Sequence, residues 1–108
     1  MANKYLKVTR PEGEFYVRYE EARIWDSMSI FEYRPNRLFF KYKCLNTYLY
    51  CILCDLARRE GRVDSNSDNY MVQVAEYAVD FYIAARKQEA AAAEKRNRQE
   101  AYFAKMSV

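Results

Sequence analysis

Apolar and polar positions alternate over two short stretches near the start of the chain. Leu6 and Val8 alternate with Tyr5, Lys7 and Thr9, and Phe15, Val17 and Tyr19 repeat the pattern. Between them "RPEG" supplies turn chemistry, with Pro11 fixing φ and Gly13 free to take a positive one. The pattern predicts a β-hairpin. A lone hairpin is marginal in water, so this one needs helical elements to pack on.

The period then lengthens. Ala22, Trp25, Met28 and Phe31 recur every three residues, which predicts a short helix over 20–34, although "SIFEY" also reads as a strand. Pro35 ends that element. Leu38, Tyr42, Leu45, Leu49, Ile52 and Leu56 follow at spacings of four and three, which predicts one stripe on a helix over 36–60. Residues 37–43, "RLFFKYK", alternate as a strand would. Gly61 suits the C′ position, and Arg58, Arg59 and Arg62 suit the negative end of the helix dipole.

"VDSNSDNY" is a polar loop in which Ser67 or Asp68 can cap the next helix. Met71, Val74, Ala78, Phe81 and Ala85 form its seam. No Gly or Pro stops it, and the run through "AAAAEKRNRQEAYFAK" consists of strong helix formers. Carried over 68–104, it reaches about 55 Å at 1.5 Å per residue. That exceeds a compact domain of this size, so its final turns overhang unless the helix breaks near residues 90–93 and folds back. The expected architecture is an α-rich α+β fold: an N-terminal β-hairpin packed on an antiparallel helical pair, with a long C-terminal helix. Residues 1–88 form the expected compact domain and 89–108 a helical extension.

Composition agrees with a folded, helix-rich chain. Of 108 residues, 51% are apolar, and Gly and Pro number two each, too few for a turn-dense barrel. No apolar run nears the roughly 18 residues of a membrane span. "MANKYLKVTR" lacks the apolar region of a signal peptide. The expected setting is intracellular, cytoplasmic and reducing, with no membrane contact.

All three cysteines lie in one stretch: Cys44, Cys51 and Cys54. On a continuous helix they flank the apolar stripe among Leu, Ile and Tyr. A structural zinc site wants four N or S ligands, and the chain has no histidine. A redox pair wants a helix N-terminus near cations. The reading is buried core cysteines, with no metal and no cofactor. The missing histidines also remove the commonest general base and the Ser–His and Cys–His pairs. Gly13 and Gly61 stand alone, so there is no phosphate-binding loop. No catalytic residues are expected, and an enzyme working without histidine ranks last.

Two features remain to carry function. Tyr and Arg number eleven each, and both residue types are enriched at interface hot spots. Tyr16, Arg18, Tyr33, Arg34, Arg37, Tyr48 and Tyr50 lie off the stripes or beside turns. Tyr102, Phe103 and Met106 would form an exposed apolar cluster on the overhanging helix. The leading expectation is therefore a non-enzymatic module that binds a protein partner or copies of itself. Its expected contacts are Tyr16, Arg18, Arg34, Arg37, Tyr102, Phe103 and Met106. Chains of this kind are often viral accessory proteins, such as host-enzyme inhibitors or minor particle components. The alternative is nucleic-acid binding. The net charge of +3 comes entirely from residues 86–108, where Arg86, Lys87, Lys95, Arg96 and Arg98 could follow a phosphate backbone.

Overall fold

The computed structural model describes residues 4–106, with side chains through residue 101. Four strands precede two helices: β1 (Leu6–Arg10), β2 (Gly13–Glu20), β3 (Ser27–Tyr33), β4 (Tyr42–Leu49), α1 (Tyr50–Arg59) and α2 (Tyr70–Met106). The strands form one antiparallel meander in the order β1-β2-β3-β4.

The hairpin forms as its alternation requires. Arg10 pairs with Gly13 across the two-residue turn, and Gly13 takes φ 145°, a value that side-chain-bearing residues rarely adopt. The segment 20–34 corrects the expected helix. Residues 27–33 are a strand, and Trp25 is 59% exposed in the loop before it. The hairpin leaves an unpaired β2 edge, and Met28 and Ile30 on a third strand fill the core beside Val17. That tertiary gain outweighs a weak three-residue period.

The expected helix over 36–60 is also corrected: its first half is strand and only its second half helix. Residues 42–49 complete the sheet as an edge strand against β3. The proposed stripe is not the buried face. Leu38 is 90% exposed and Ile52 51% exposed, whereas Leu53, Cys54 and Ala57 are buried. A bulge lies between Ile30 and Phe31, which pair with Asn46 and Cys44. The extra residue, Leu45, packs against the core.

The end of α1 matches its sequence signal. Gly61 takes φ 68°, its N–H donates to the Arg58 carbonyl (3.1 Å), and the Arg62 N–H donates to the Ala57 carbonyl (2.9 Å). These two bonds make a Schellman motif. The long helix is likewise as read. It runs unbroken through residues 90–93, which excludes the fold-back, and every described side chain from Arg86 to Ala101 is exposed.

Both helices contribute to one core. Val74, Ala75, Tyr77, Ala78 and Val79 of α2 and Leu53, Cys54 and Ala57 of α1 meet Val8, Val17, Met28 and Ile30 of the sheet. Beside this core, Asp80 joins three elements. Its carboxylate accepts from Arg10 Nε at 2.7 Å and from an Arg62 guanidinium nitrogen at 2.6 Å. Burial opposes its ionisation, but the two guanidinium groups hold its carboxyl below the usual carboxylate range. Among the described residues no helix is long and apolar enough to cross a membrane.

Two predictions follow from this core. Ala78 is fully buried. Ala78→Leu should lower stability by about 1–3 kcal/mol through overpacking, read as a lower urea midpoint. The second concerns alkaline pH. Burial, aided by Glu60, pushes the Tyr77 hydroxyl up to about 12, and the hydrogen bond to Asp26, aided by burial, does the same for Tyr19. The unfolded value is about 10. The folded state therefore keeps these protons longer, and stability should fall as pH rises from about 10 to 12. Tyr19→Phe should remove part of that fall in urea midpoints measured across the same range.

Candidate functional site

An antiparallel meander has two faces, and both helices lie on one of them. Residues paired across a ladder point to the same side. Val8, Val17, Met28 and Ile30 face the helices, so their neighbours along each strand face away. The open face carries Lys7, Tyr16, Arg18, Ser29, Phe31, Tyr33, Tyr42 and Thr47, with Tyr5 at the entry to β1.

These side chains form one aromatic cluster. Tyr5 and Tyr42 stack at 4.1 Å between centroids with an interplanar angle of 6°. Tyr16 meets Tyr42 edge-on at 5.6 Å and Tyr33 at 6.1 Å, and Tyr33 lies 5.1 Å from Tyr42. Phe31 sits beneath, 5.3 Å from Tyr5 and only 6% exposed. The arrangement is one of offset and edge-to-face contacts, the geometry that aromatic quadrupoles favour.

Arg18 fixes the centre of the cluster. Its guanidinium carbon lies 4.7 Å from the Phe31 centroid and 5.5 Å from that of Tyr5. It donates to the Tyr5 hydroxyl at 3.0 Å and to Glu20 through Nε at 2.7 Å. Beside it, the Ser29 and Thr47 hydroxyls share a hydrogen bond of 2.9 Å. The result is a face with an apolar base, hydroxyl groups on the upper edges and one held cation. Within it, the charges balance locally: Lys7 pairs with Glu14 at 3.4 Å, and Arg18 with Glu20.

Of the expected contacts, Tyr16 and Arg18 fall on this face, and Tyr33 joins them. Arg34 does not. It follows β3 and pairs with Glu32 at 3.6 Å. Arg37 lies in the β3–β4 loop, residues 34–41. Tyr48 and Tyr50 are not on the open face but pack against the core, Tyr48 on Phe81 at 5.5 Å and Tyr50 on Tyr19 at 4.9 Å. The side chains of Tyr102, Phe103 and Met106 lie outside the described residues. Sequence reasoning missed Tyr5, Phe31 and Tyr42, because residues 31 and 42 were assigned to helices. Reading "SIFEY" and "RLFFKYK" as alternating strands would have found the last two.

The five candidate phosphate contacts, Arg86, Lys87, Lys95, Arg96 and Arg98, are exposed on α2. At 3.6 residues per turn they spread around the helix rather than along one side. Two are already paired, Lys87 with Glu12 at 2.9 Å and Arg98 with Glu94 at 2.6 Å. Lys87 holds the Glu12 carboxyl below its ordinary range. The same ion pair rims an open groove of about 740 Å³ floored by Phe15, Leu45, Tyr82 and Ile83.

The cysteines require a correction. Cys54 is buried, but Cys44 and Cys51 are exposed, Cys44 because it lies on the edge strand instead of a helix. Among the described residues, no three His, Cys, Asp or Glu side chains gather closely enough to hold a metal ion.

No protein-family model matches the chain, and no curated protein or solved structure is significantly similar to it.

The thiols offer a direct check on this placement. A thiol reagent should label Cys44 and Cys51 in the native protein, and Cys54 only on unfolding. Equal labelling of all three would place Cys54 outside the core.

Proposed function

We propose that the chain is a non-enzymatic interaction module that binds a protein partner or a second copy of itself through the open face of its sheet. The tyrosine cluster on that uncovered face carries the reading. A sheet face turned to water normally alternates to polar residues. This one instead holds Tyr5, Tyr16, Tyr33 and Tyr42 around a buried Phe31, with Arg18 locked at the centre. Rigid aromatics with polar tips and an ordered Arg are the residues that dominate interface energetics, and here their ordering is complete before any partner arrives. The C-terminal helix supplies a second, longer surface for the same partner.

A nucleic-acid role has less to support it. The open face balances its charges, and the cations of α2 do not share a stripe that could track a backbone.

The test is affinity capture with the full chain, followed by light scattering to detect self-association. Tyr33→Ser with Tyr42→Ser should weaken the captured complex at least about tenfold, as loss of interface anchors does. Arg96→Glu with Arg98→Glu should leave it intact. Complex formation that survives the tyrosine variant and fails in the arginine variant would move the contact to the helix. A chain that stays monomeric and captures nothing would refute the module.

A further inference from the structure

The β3–β4 loop, residues 34–41, is separate from the open face and has its own chemistry. At its tip Leu38 is 90% exposed, Phe39 76% and Phe40 92%. None of the three belongs to the core or packs on its edge. The loop has a defined shape. The Arg34 N–H donates to the Lys41 carbonyl at 2.6 Å, and the Arg37 N–H donates to the Arg34 carbonyl at 3.3 Å. Phe40 takes φ 58°, a conformation uncommon for a bulky residue and unrewarded here by any burial.

Charge around the tip is one-sided. From Tyr33 to Cys54 the chain has four cations, Arg34, Arg37, Lys41 and Lys43, and no carboxylate. The meander brings the β1–β2 turn to the same end of the sheet, so its acids must be counted too. Glu12 pairs with Lys87 and Glu14 with Lys7, while Glu32 of β3, opposite Lys43 in the ladder, pairs with Arg34. Among the described residues, no ion pair involves Arg37, Lys41 or Lys43. Three consecutive apolar side chains thus project from a loop flanked by Arg37 and Lys41, which form no ion pair among the described residues, and by Lys43, which stands opposite Glu32 in the β3–β4 ladder.

We infer that this loop docks on an anionic lipid surface, with Leu38, Phe39 and Phe40 entering the headgroup region and Arg37, Lys41 and Lys43 meeting lipid phosphates and carboxylates. An apolar tip ringed by Lys and Arg matches the two layers of such a surface, hydrocarbon below and negative charge above. Leu and Phe side chains make no directional contacts, so a fluid hydrocarbon layer satisfies them. Only side chains enter, so no backbone group loses its hydrogen-bonding partners. The expectation of no membrane contact rested on the absence of a spanning segment, which surface docking does not require. This inference does not depend on the open-face reading.

The experiment is flotation of the full chain with vesicles of phosphatidylcholine containing phosphatidylserine, against vesicles of phosphatidylcholine alone. The chain should float with the anionic vesicles, weaken as salt rises, and bind the neutral ones poorly. Arg37→Glu, Lys41→Glu and Lys43→Glu together should reduce partitioning at least about 100-fold. Leu38→Ser, Phe39→Ser and Phe40→Ser together should abolish it. A second readout does not depend on those variants folding. Trp25, the one tryptophan, lies in the loop at the opposite end of the sheet. Phe39→Trp in a Trp25→Phe background should therefore shift its emission to the blue on anionic vesicles only. Absence of flotation and of the shift would overturn the inference. So would flotation unaffected by the loop variants, or equal binding to neutral vesicles. Loss of self-association or of a protein partner in the loop variants, without any vesicle binding, would reassign the tip to a protein contact.

Discussion

Helix α2 lies against one face of the sheet through a seam whose fully buried residues are small. Val74, Ala75, Ala78 and Val79 are each fully buried, and they meet Val8, Val17, Met28 and Ile30 across a single apolar layer. Short side chains let the helix backbone approach the strands closely, and close packing at this seam is what dispersion and water exclusion reward. The α1 helix then fills the remaining side of the layer through Leu53, Cys54 and Ala57. Asp80, on α2, ties β1 and the start of the α1–α2 loop to this seam through Arg10 and Arg62.

That one-sided packing accounts for the rest of the molecule. With both helices on one face, the other has only its own side chains for cover. Phe31 is buried there beneath Tyr5, Tyr42 and the Arg18 guanidinium, so the face satisfies itself without a third layer. The helix is also far longer than the sheet it covers. Past the Lys87–Glu12 ion pair its described side chains are all exposed, and the molecule extends to 62 Å in its longest dimension. The two connections that share one end of the sheet differ in a similar way. The β1–β2 turn takes two residues and closes on its own backbone, while the β3–β4 loop takes eight and carries its apolar residues outward.

Several elements were legible in the sequence because they rest on local rules. The β1–β2 hairpin follows from its alternation and the Pro11 and Gly13 turn. The end of α1 follows from Gly61, and α2 from a long run of helix formers without a breaker. Two of the open-face residues, Tyr16 and Arg18, were also reachable, since the hairpin fixes their strand. Tyr42 and Phe31 were reachable only through the strand alternatives, because each lies in a segment whose spacing fits both a helical stripe and a strand. Leu38, Tyr42, Leu45 and Leu49 have the period of a helix, yet none is fully buried.

The sequence by itself determined the hairpin, the long helix and the stop of α1 at Gly61, since each depends on neighbours along the chain; the cap read at Ser67 or Asp68 did not hold, because α2 begins at Tyr70. Tertiary structure decided whether residues 27–33 and 42–49 are strands. The open edge of β2 recruits β3, and the open edge of β3 recruits β4, because unpaired backbone groups and the apolar layer beneath them are satisfied together. It also decided which face the helices cover. That choice alone separates the tyrosines packed in the core from those turned to solvent.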